Sequence, residues 1–218
     1  MRILAVSDMH GNLGVVFNAI EEIKPALLLC CGDWGDPGEL DPAEFRSIVE
    51  NVHVLTVFGN HDDVNLLSAT KNSDGTPVLL NQGEVREVGE LTFAGISGIW
   101  AKSHRKPYYV TDEDVAHFAS EIQRQGRIDV LLTHGCPIGL ADVTPAGRRG
   151  GQKCFLEAFR SISPRLHLCG HLHLAQMHAL KDGRTVVNVG YTSEGDFWVI
   201  DMDRQNFHIE HRRREKDV

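Results

Sequence analysis

Arg2-Ile3-Leu4-Ala5-Val6-Ser7-Asp8-Met9-His10 decides how the chain is read. A short apolar run without polar alternation is the pattern of a strand buried on both faces. It stops abruptly at a carboxylate and, two residues on, an imidazole. The same pattern recurs four times. Ala26–Cys31 closes on Gly32-Asp33, and His53–Phe58 on Gly59-Asn60-His61-Asp62. Asp129–Thr133 closes on His134, and Arg165–Cys169 on Gly170-His171-Leu172-His173. In open α/β sheets the ends of strands are where ligands bind.

The segments between these runs read as helices. Leu13–Lys24 places Val16, Ile20 and Ile23 on one face and stops before Pro25. Pro42–Asn51 starts at Asp41, a good N-cap, and Asp62 or Asp63 can cap a helix reaching Lys71. Thr111–Gln125 and Gln152–Ile162 are the later helices. Val78–Leu80, Glu84–Val88 and Leu91–Ala94 are short and divided by polar turns, which predicts antiparallel strands. Gly98–Tyr109 and Cys136–Gly151 read as loops. Met177–Lys181, Thr185–Val189, Phe197–Asp201 and Phe207–His211 read as closing strands, with a turn at Asp182-Gly183. Arg212–Val218 reads as a frayed charged tail. This order predicts an α/β fold of four layers, αββα: two mixed sheets face to face with helices outside, in a single domain over residues 1–218.

Bulk properties narrow the function. Of the 218 residues 42% are hydrophobic, enough for a sizeable core. The formal net charge of -8 disfavours general nucleic-acid affinity but not an anionic substrate, because bound cations make a local positive well. The five cysteines form no Cys-x-x-Cys pair, and Cys30, Cys31 and Cys169 lie in apolar runs. That predicts free thiols and a cytoplasmic setting. No leader-like segment precedes the first strand, and no apolar run approaches the ~20 residues of a membrane span.

The strand-end clusters offer carboxylate, amide and imidazole, and no thiolate. That donor set suits divalent transition metals. In an extended segment residues two apart point the same way, so Asp8 and His10 can reach one ion. Asp33 has two oxygens and can bridge two ions, and Asn60 offers a neutral oxygen. Read alone, each cluster is equally a turn. Asp after a strand is commonly a cap, and with 12 histidines in the chain several must be ordinary. His53, His104, His117, His167, His178, His208 and His211 fall outside the pattern and read as structural or solvated.

Taken together, Asp-x-His, Gly-Asp, Gly-Asn-His-Asp, His and Gly-His-x-His, in that order, resemble the calcineurin-like metallophosphoesterases over about residues 1–203. The resemblance implies that Asp8, His10 and His173 bind one metal, that Asn60, His134 and His171 bind a second, and that Asp33 bridges them. It also implies that His61 faces the leaving group and that Asp36 orients His61. The implied reaction is phosphoester hydrolysis by a hydroxide held between two ions about 3.5–4 Å apart. Mn²⁺ is the expected metal, with Fe, Co, Ni or Zn as alternatives.

Pro37 and Phe58 stand where the Ser/Thr phosphoprotein phosphatases of this superfamily carry arginine. Asp36 stands where purple acid phosphatases carry a metal-binding Tyr. Thr133-His134-Gly135-Cys136-Pro137-Ile138-Gly139, with Asp142 following, is similar to the small phosphodiesterase branch. The expected substrate is therefore a small phosphodiester or nucleotide. A phosphomonoesterase and a non-catalytic metal-binding scaffold are the alternatives. Trp34, Trp100, Arg105, Arg148 and Arg149 are candidate pocket residues, able to stack a base or hold a second phosphate.

Overall fold

Strand β1 (Arg2–Val6) sends its side chains alternately into two different cores. In the computed structural model, which describes residues 1–214, Ile3 and Ala5 join one apolar cluster, and Leu4 and Val6 another. After β1 come α1 (Gly14–Ile23), β2 (Leu27–Cys30), α2 (Pro42–Asn51), β3 (His53–Thr56) and α3 (Val64–Ala69). The middle of the chain holds β4 (Val85–Val88), β5 (Leu91–Ile96), β6 (Ile99–Trp100), β7 (Tyr109–Val110), α4 (Asp112–Arg124), β8 (Val130–Thr133) and α5 (Lys153–Ile162). The remaining elements are β9 (Leu166–Cys169), β10 (Gln176–Ala179), β11 (Thr185–Asn188), a 3₁₀ turn at Thr192–Glu194, β12 (Asp196–Met202) and β13 (Phe207–Arg213).

Two mixed sheets result. The first has the order β13-β12-β1-β2-β3, and the second β10-β11-β9-β8-β5-β4. β1, β2 and β3 run parallel, with Ile3 opposite Leu27 and Leu27 opposite His53. β5, β8, β9 and β11 run parallel in the second sheet. Antiparallel strands close both edges of the second sheet and the β13 edge of the first, whose other edge is the parallel strand β3. Ala5, Leu29, Leu55, Phe93, Leu132, Leu168 and Val187 fill the space between the sheets. Val16, Phe45, Ile48 and Leu67 from α1–α3 cover the outer face of the first sheet. Val115, Ala119 and Ile122 of α4, with Cys154, Phe155 and Ala158 of α5, cover the second. The fold is the expected four-layer sandwich. Each fully buried aliphatic or aromatic side chain contributes roughly 1.5–3 kcal/mol.

The helix signals operate as local chemistry requires. Asp41 accepts the Ala43 N–H at 2.8 Å ahead of Pro42, and Thr111 and Asp114 form a capping box for α4. Of the two carboxylates at the start of α3, Asp63 is the cap. Three expectations change. Val78–Leu80 is not an antiparallel strand, because it lies in parallel against Thr56 through a single bridge. The loop 98–109 contains the two-residue strand β6 and the first residue of β7, which pair with each other. Arg212 and Arg213 belong to β13 rather than to a frayed tail, and Arg212 pairs with Glu22 and Glu210. Residues 215–218 lie outside the described residues.

Candidate metal centre

The C-terminal ends of β1, β2, β3, β8 and β9 converge at one rim, and each hands over to one of the polar clusters. Two groups of donors form there. Asp8, His10 and His173 bring one ligand atom each within 4.8 Å of one another, as do Asp33, His134 and His171. Asp8 and His10 do share a cluster, but not through an extended backbone. Their φ angles are 59° and 48°, in the left-handed region. Asp33, His171 and His173 adopt it too, at 60°, 69° and 54°. Among the described residues, five of the eight non-glycine residues with positive φ are therefore candidate ligands. Each such residue costs roughly 1–2 kcal/mol, strain of the kind that gathers at functional sites.

Each carboxylate uses one oxygen on the fold and leaves the other bare. Asp33 Oδ1 accepts the N–H groups of Asn60 and His61, both at 2.8 Å. Its Oδ2 lies 3.3 Å from His134 Nε2 and 3.9 Å from His10 Nε2, between the two groups. Asp8 Oδ2 accepts from the Ser7 hydroxyl and from His171 N–H. Its Oδ1 lies 3.1 Å from His173 Nε2, outside hydrogen-bonding alignment. His134 donates Nδ1–H to the Cys31 carbonyl at 2.7 Å, because a carbonyl can only accept. That leaves the His134 Nε2 lone pair free, the tautomer a metal ligand needs. His10 and His173 point Nε2 at each other across 3.4 Å.

Asp8 Oδ1, Asn60 Oδ1 and His134 Nε2 are buried without a hydrogen-bond partner. A bare buried acceptor costs about 1–3 kcal/mol, and three on the strand ends that carry the donor groups mark a place a cation satisfies. The residues present thus fit a pair of divalent ions. The protein's own charges show the same tension. Burial opposes ionising Asp33, but a positive charge on His134 outweighs it and holds the carboxyl well below the usual range. Burial likewise opposes charging His134, and Asp33 drives its pKa upward. His171 is pushed down to about 4 by burial and by the His134 charge.

His61 stands at the mouth, its ring 5.2 Å from that of His10. Its Nδ1 lies 2.9 Å from Asp36 Oδ2, a hydrogen bond that raises its pKa against the effect of burial. Asp36 therefore touches His61 and no member of the two donor groups.

Other candidates are placed elsewhere. Trp34 is buried, donates Nε1–H to Thr56 and packs against Phe45, so it is core and not a stacking platform. Trp100 donates to Asp112. Arg149 pairs with buried Asp142. Arg148 lies exposed on the same hairpin. Arg105 is likewise exposed.

Four residues to which the sequence reading gave no site role build the frame. Asp62 accepts the N–H groups of Asp33, Trp34 and Gly59, tying the β2 and β3 loops together. Buried Asn188 donates to the Gly170 carbonyl and accepts from Gly190 N–H. Thr192 bonds Ser7 in both directions. The Tyr191 ring stacks on His173. Thr185-Val186-Val187-Asn188-Val189-Gly190 repeats the apolar-run-to-polar pattern and was the available signal for this last group.

Comparison with known proteins agrees with the geometry. The chain is 25% identical over 234 residues to a lariat debranching enzyme of Drosophila melanogaster, covering 79% of this chain and 43% of that enzyme. It is 25% identical over 185 residues to the Arabidopsis thaliana lariat debranching enzyme, covering 65% and 44%. The chain thus spans less than half the length of these two relatives. Its fold matches the crystal structure of the Thermus thermophilus protein TT1561 with a TM-score of 0.73 at 13% identity, over 96% of this chain and 97% of that one. It matches a dimetal phosphatase from Danio rerio with a TM-score of 0.59 at 12% identity, over 100% and 98%. The family profile described as calcineurin-like phosphoesterase covers residues 1–175, and the chain belongs to that family.

Proposed function

We propose that the chain is a phosphodiesterase working with two divalent transition-metal ions, and that residues 1–218 form one catalytic domain. The observation that carries this reading is the trio of bare buried atoms, Asp8 Oδ1, Asn60 Oδ1 and His134 Nε2, gathered where the ends of the two sheets meet. Asp8, His10 and His173 would hold one ion, and Asn60, His134 and His171 the other. Asp33 Oδ2 would touch both. When bound, such a pair lowers the pKa of water to about 7 and neutralises charge on phosphoryl oxygens.

The chain's own groups do the rest. Asp36 holds His61 by Nδ1, so the free Nε2 faces the mouth, where it carries a proton to the departing oxygen. Asp33, anchored by two backbone N–H groups, keeps its second oxygen aimed at the centre without reorganisation. The absence of arginine at Pro37 and Phe58, and the similarity to enzymes named for lariat debranching, support a diester over a monoester. A small phosphodiester or nucleotide is the substrate class. Donors limited to oxygen and imidazole support Mn²⁺, and five buried free thiols support a cytoplasmic setting. Among the described residues no helix is long and apolar enough to cross a membrane.

The test compares bis-p-nitrophenyl phosphate with p-nitrophenyl phosphate in the presence of Mn²⁺, alongside elemental analysis of protein purified without added metal. The diester should turn over faster. Preference for the monoester would make the chain a phosphatase, and metal binding without turnover of either would make it a scaffold. Zn²⁺ alone in the purified protein would overturn the choice of Mn²⁺.

A further inference from the structure

The two histidines at the core of the donor groups are oriented by different means. His134 is held by the Cys31 carbonyl at Nδ1. His173 has no such bond: its described polar contacts, with His10 and Asp8, are both made by Nε2. What lies against its plane is Tyr191. The two rings stack with centroids 4.2 Å apart and planes 11° from parallel. The same tyrosine meets the His10 ring edge-on, at 5.8 Å and 81°.

Tyr191 is itself fixed to the centre from both sides. Its N–H donates to Asp196 Oδ2 at 3.3 Å, and Gly190 before it donates to Asn188 Oδ1 at 3.1 Å. Gly190 has a φ of 96°, and a Cβ there would come within 2.8 Å of Ala175 N, so the turn takes glycine and no larger residue. Thr192 after it accepts Ser7 N–H at 3.0 Å and returns its own N–H to the Ser7 carbonyl at 3.0 Å. The ring is thereby held in register with Asp8, the residue after Ser7, as well as with His173.

We propose that Tyr191 is a positioning residue of the Asp8–His10–His173 group. Its flat ring sets the plane of His173, the task the Cys31 carbonyl performs for His134, so that Nε2 addresses the same point as Asp8 Oδ1 and His10 Nε2. The ring face, and not the hydroxyl, carries the role. This inference rests on the two-ion reading above.

The test is Mn²⁺ binding by the full chain after chelator treatment, followed by titration calorimetry. His10→Ala identifies which binding step belongs to this group. Wild type and Tyr191→Phe should bind two ions alike. Tyr191→Leu, which keeps apolar bulk but no flat face, and Tyr191→Ala should weaken that one step by about 10–100-fold and leave the other unchanged. Leu and Ala variants that bind as wild type does would overturn the proposal. So would a Phe variant that falls with them, or an equal loss at both steps. A wild-type chain that binds no Mn²⁺, Zn²⁺ or Co²⁺ would instead overturn the two-ion reading itself.

Discussion

His61 and Asp33 occupy two different places at one rim. Asp33 sits between the donor groups, whereas His61 points to the mouth and touches Asp36. His61→Ala should therefore keep both ions and lose about 10²–10⁴ in rate, with a smaller loss for leaving groups as good as nitrophenolate. Asp33→Ala should lose metal and activity together. Metal analysis beside kinetics on two leaving groups checks both, and equal metal loss in the two variants would refute the assignment. His167 shows the opposite case, a histidine with no ligand role. Thr133 donates its hydroxyl to the Gly135 carbonyl, so it accepts from His167 Nε2–H at 2.8 Å. His167 Nδ1 is left buried and bare, and burial pushes the pKa down to about 3 from 6.5. The unfolded chain takes up this proton below pH ~6.5 while the folded one does not until far lower. Stability therefore drops as the pH is lowered through that window, by up to about 1.4 kcal/mol per unit from this residue. His167→Gln should flatten the urea-midpoint slope between about pH 6.5 and 4, and an unchanged slope would show that the ring is hydrated.

At the scale of elements, the strand ends approach one another so closely that side chains between them are excluded. A Cβ on Gly59 would lie 2.2 Å from Asp33 Oδ1 and 2.6 Å from His134 Nε2, and one on Gly170 would lie 2.0 Å from Ser7 Oγ. Gly59→Ala should consequently empty the second donor group without altering any ligand. Asp62 joins the β2 and β3 loops by accepting three backbone N–H groups. Asp62→Ala leaves those donors unpaired and should cost at least about 1–3 kcal/mol, with weakened Mn²⁺ binding. Asp62→Asn retains the acceptor oxygen and should recover part of both. Thermal melts with and without Mn²⁺ measure the difference, and an Ala variant as stable and as metal-replete as wild type would exclude the brace.

Across the whole molecule, the centre draws its donors from both sheets. Asp8 and His10 follow β1 and Asp33 follows β2 in the first sheet, whereas His134 follows β8 and His171 and His173 follow β9 in the second. An ion in either group would fasten one sheet to the other at the rim of their shared apolar core. Each ion at 100 times its Kd should add about 2.7 kcal/mol to stability. Chelation should lower the melting temperature, and the new amide exchange should concentrate at the ends of β1, β2, β8 and β9. A uniform rise in exchange, or none, would show that the sheets hold together there without the ions.

Much of this was legible in the chain itself. Unbroken apolar runs such as Ile3-Leu4-Ala5-Val6 and Leu27–Cys30 mark strands buried on both sides, because only two flanking layers remove both faces from water. The donor types at their ends limit the chemistry, and Asp41 and Thr111 mark helix starts through bonds made within a few residues. What tertiary structure decided are the relations between distant segments. Backbone conformation at Asp8 and His10 is left-handed, where the strand pattern before them predicts a continued extended segment. Trp34 became core because Phe45 and Thr56 close over it, and Arg149 became structural because Asp142 is buried beneath it. Asp62, Asn188 and Tyr191 matter through partners between 3 and 29 residues away for Asp62, 18 for Asn188 and, for Tyr191, in another turn altogether. A sequence shows which groups each strand end carries, but only packing two sheets face to face determines which of them meet.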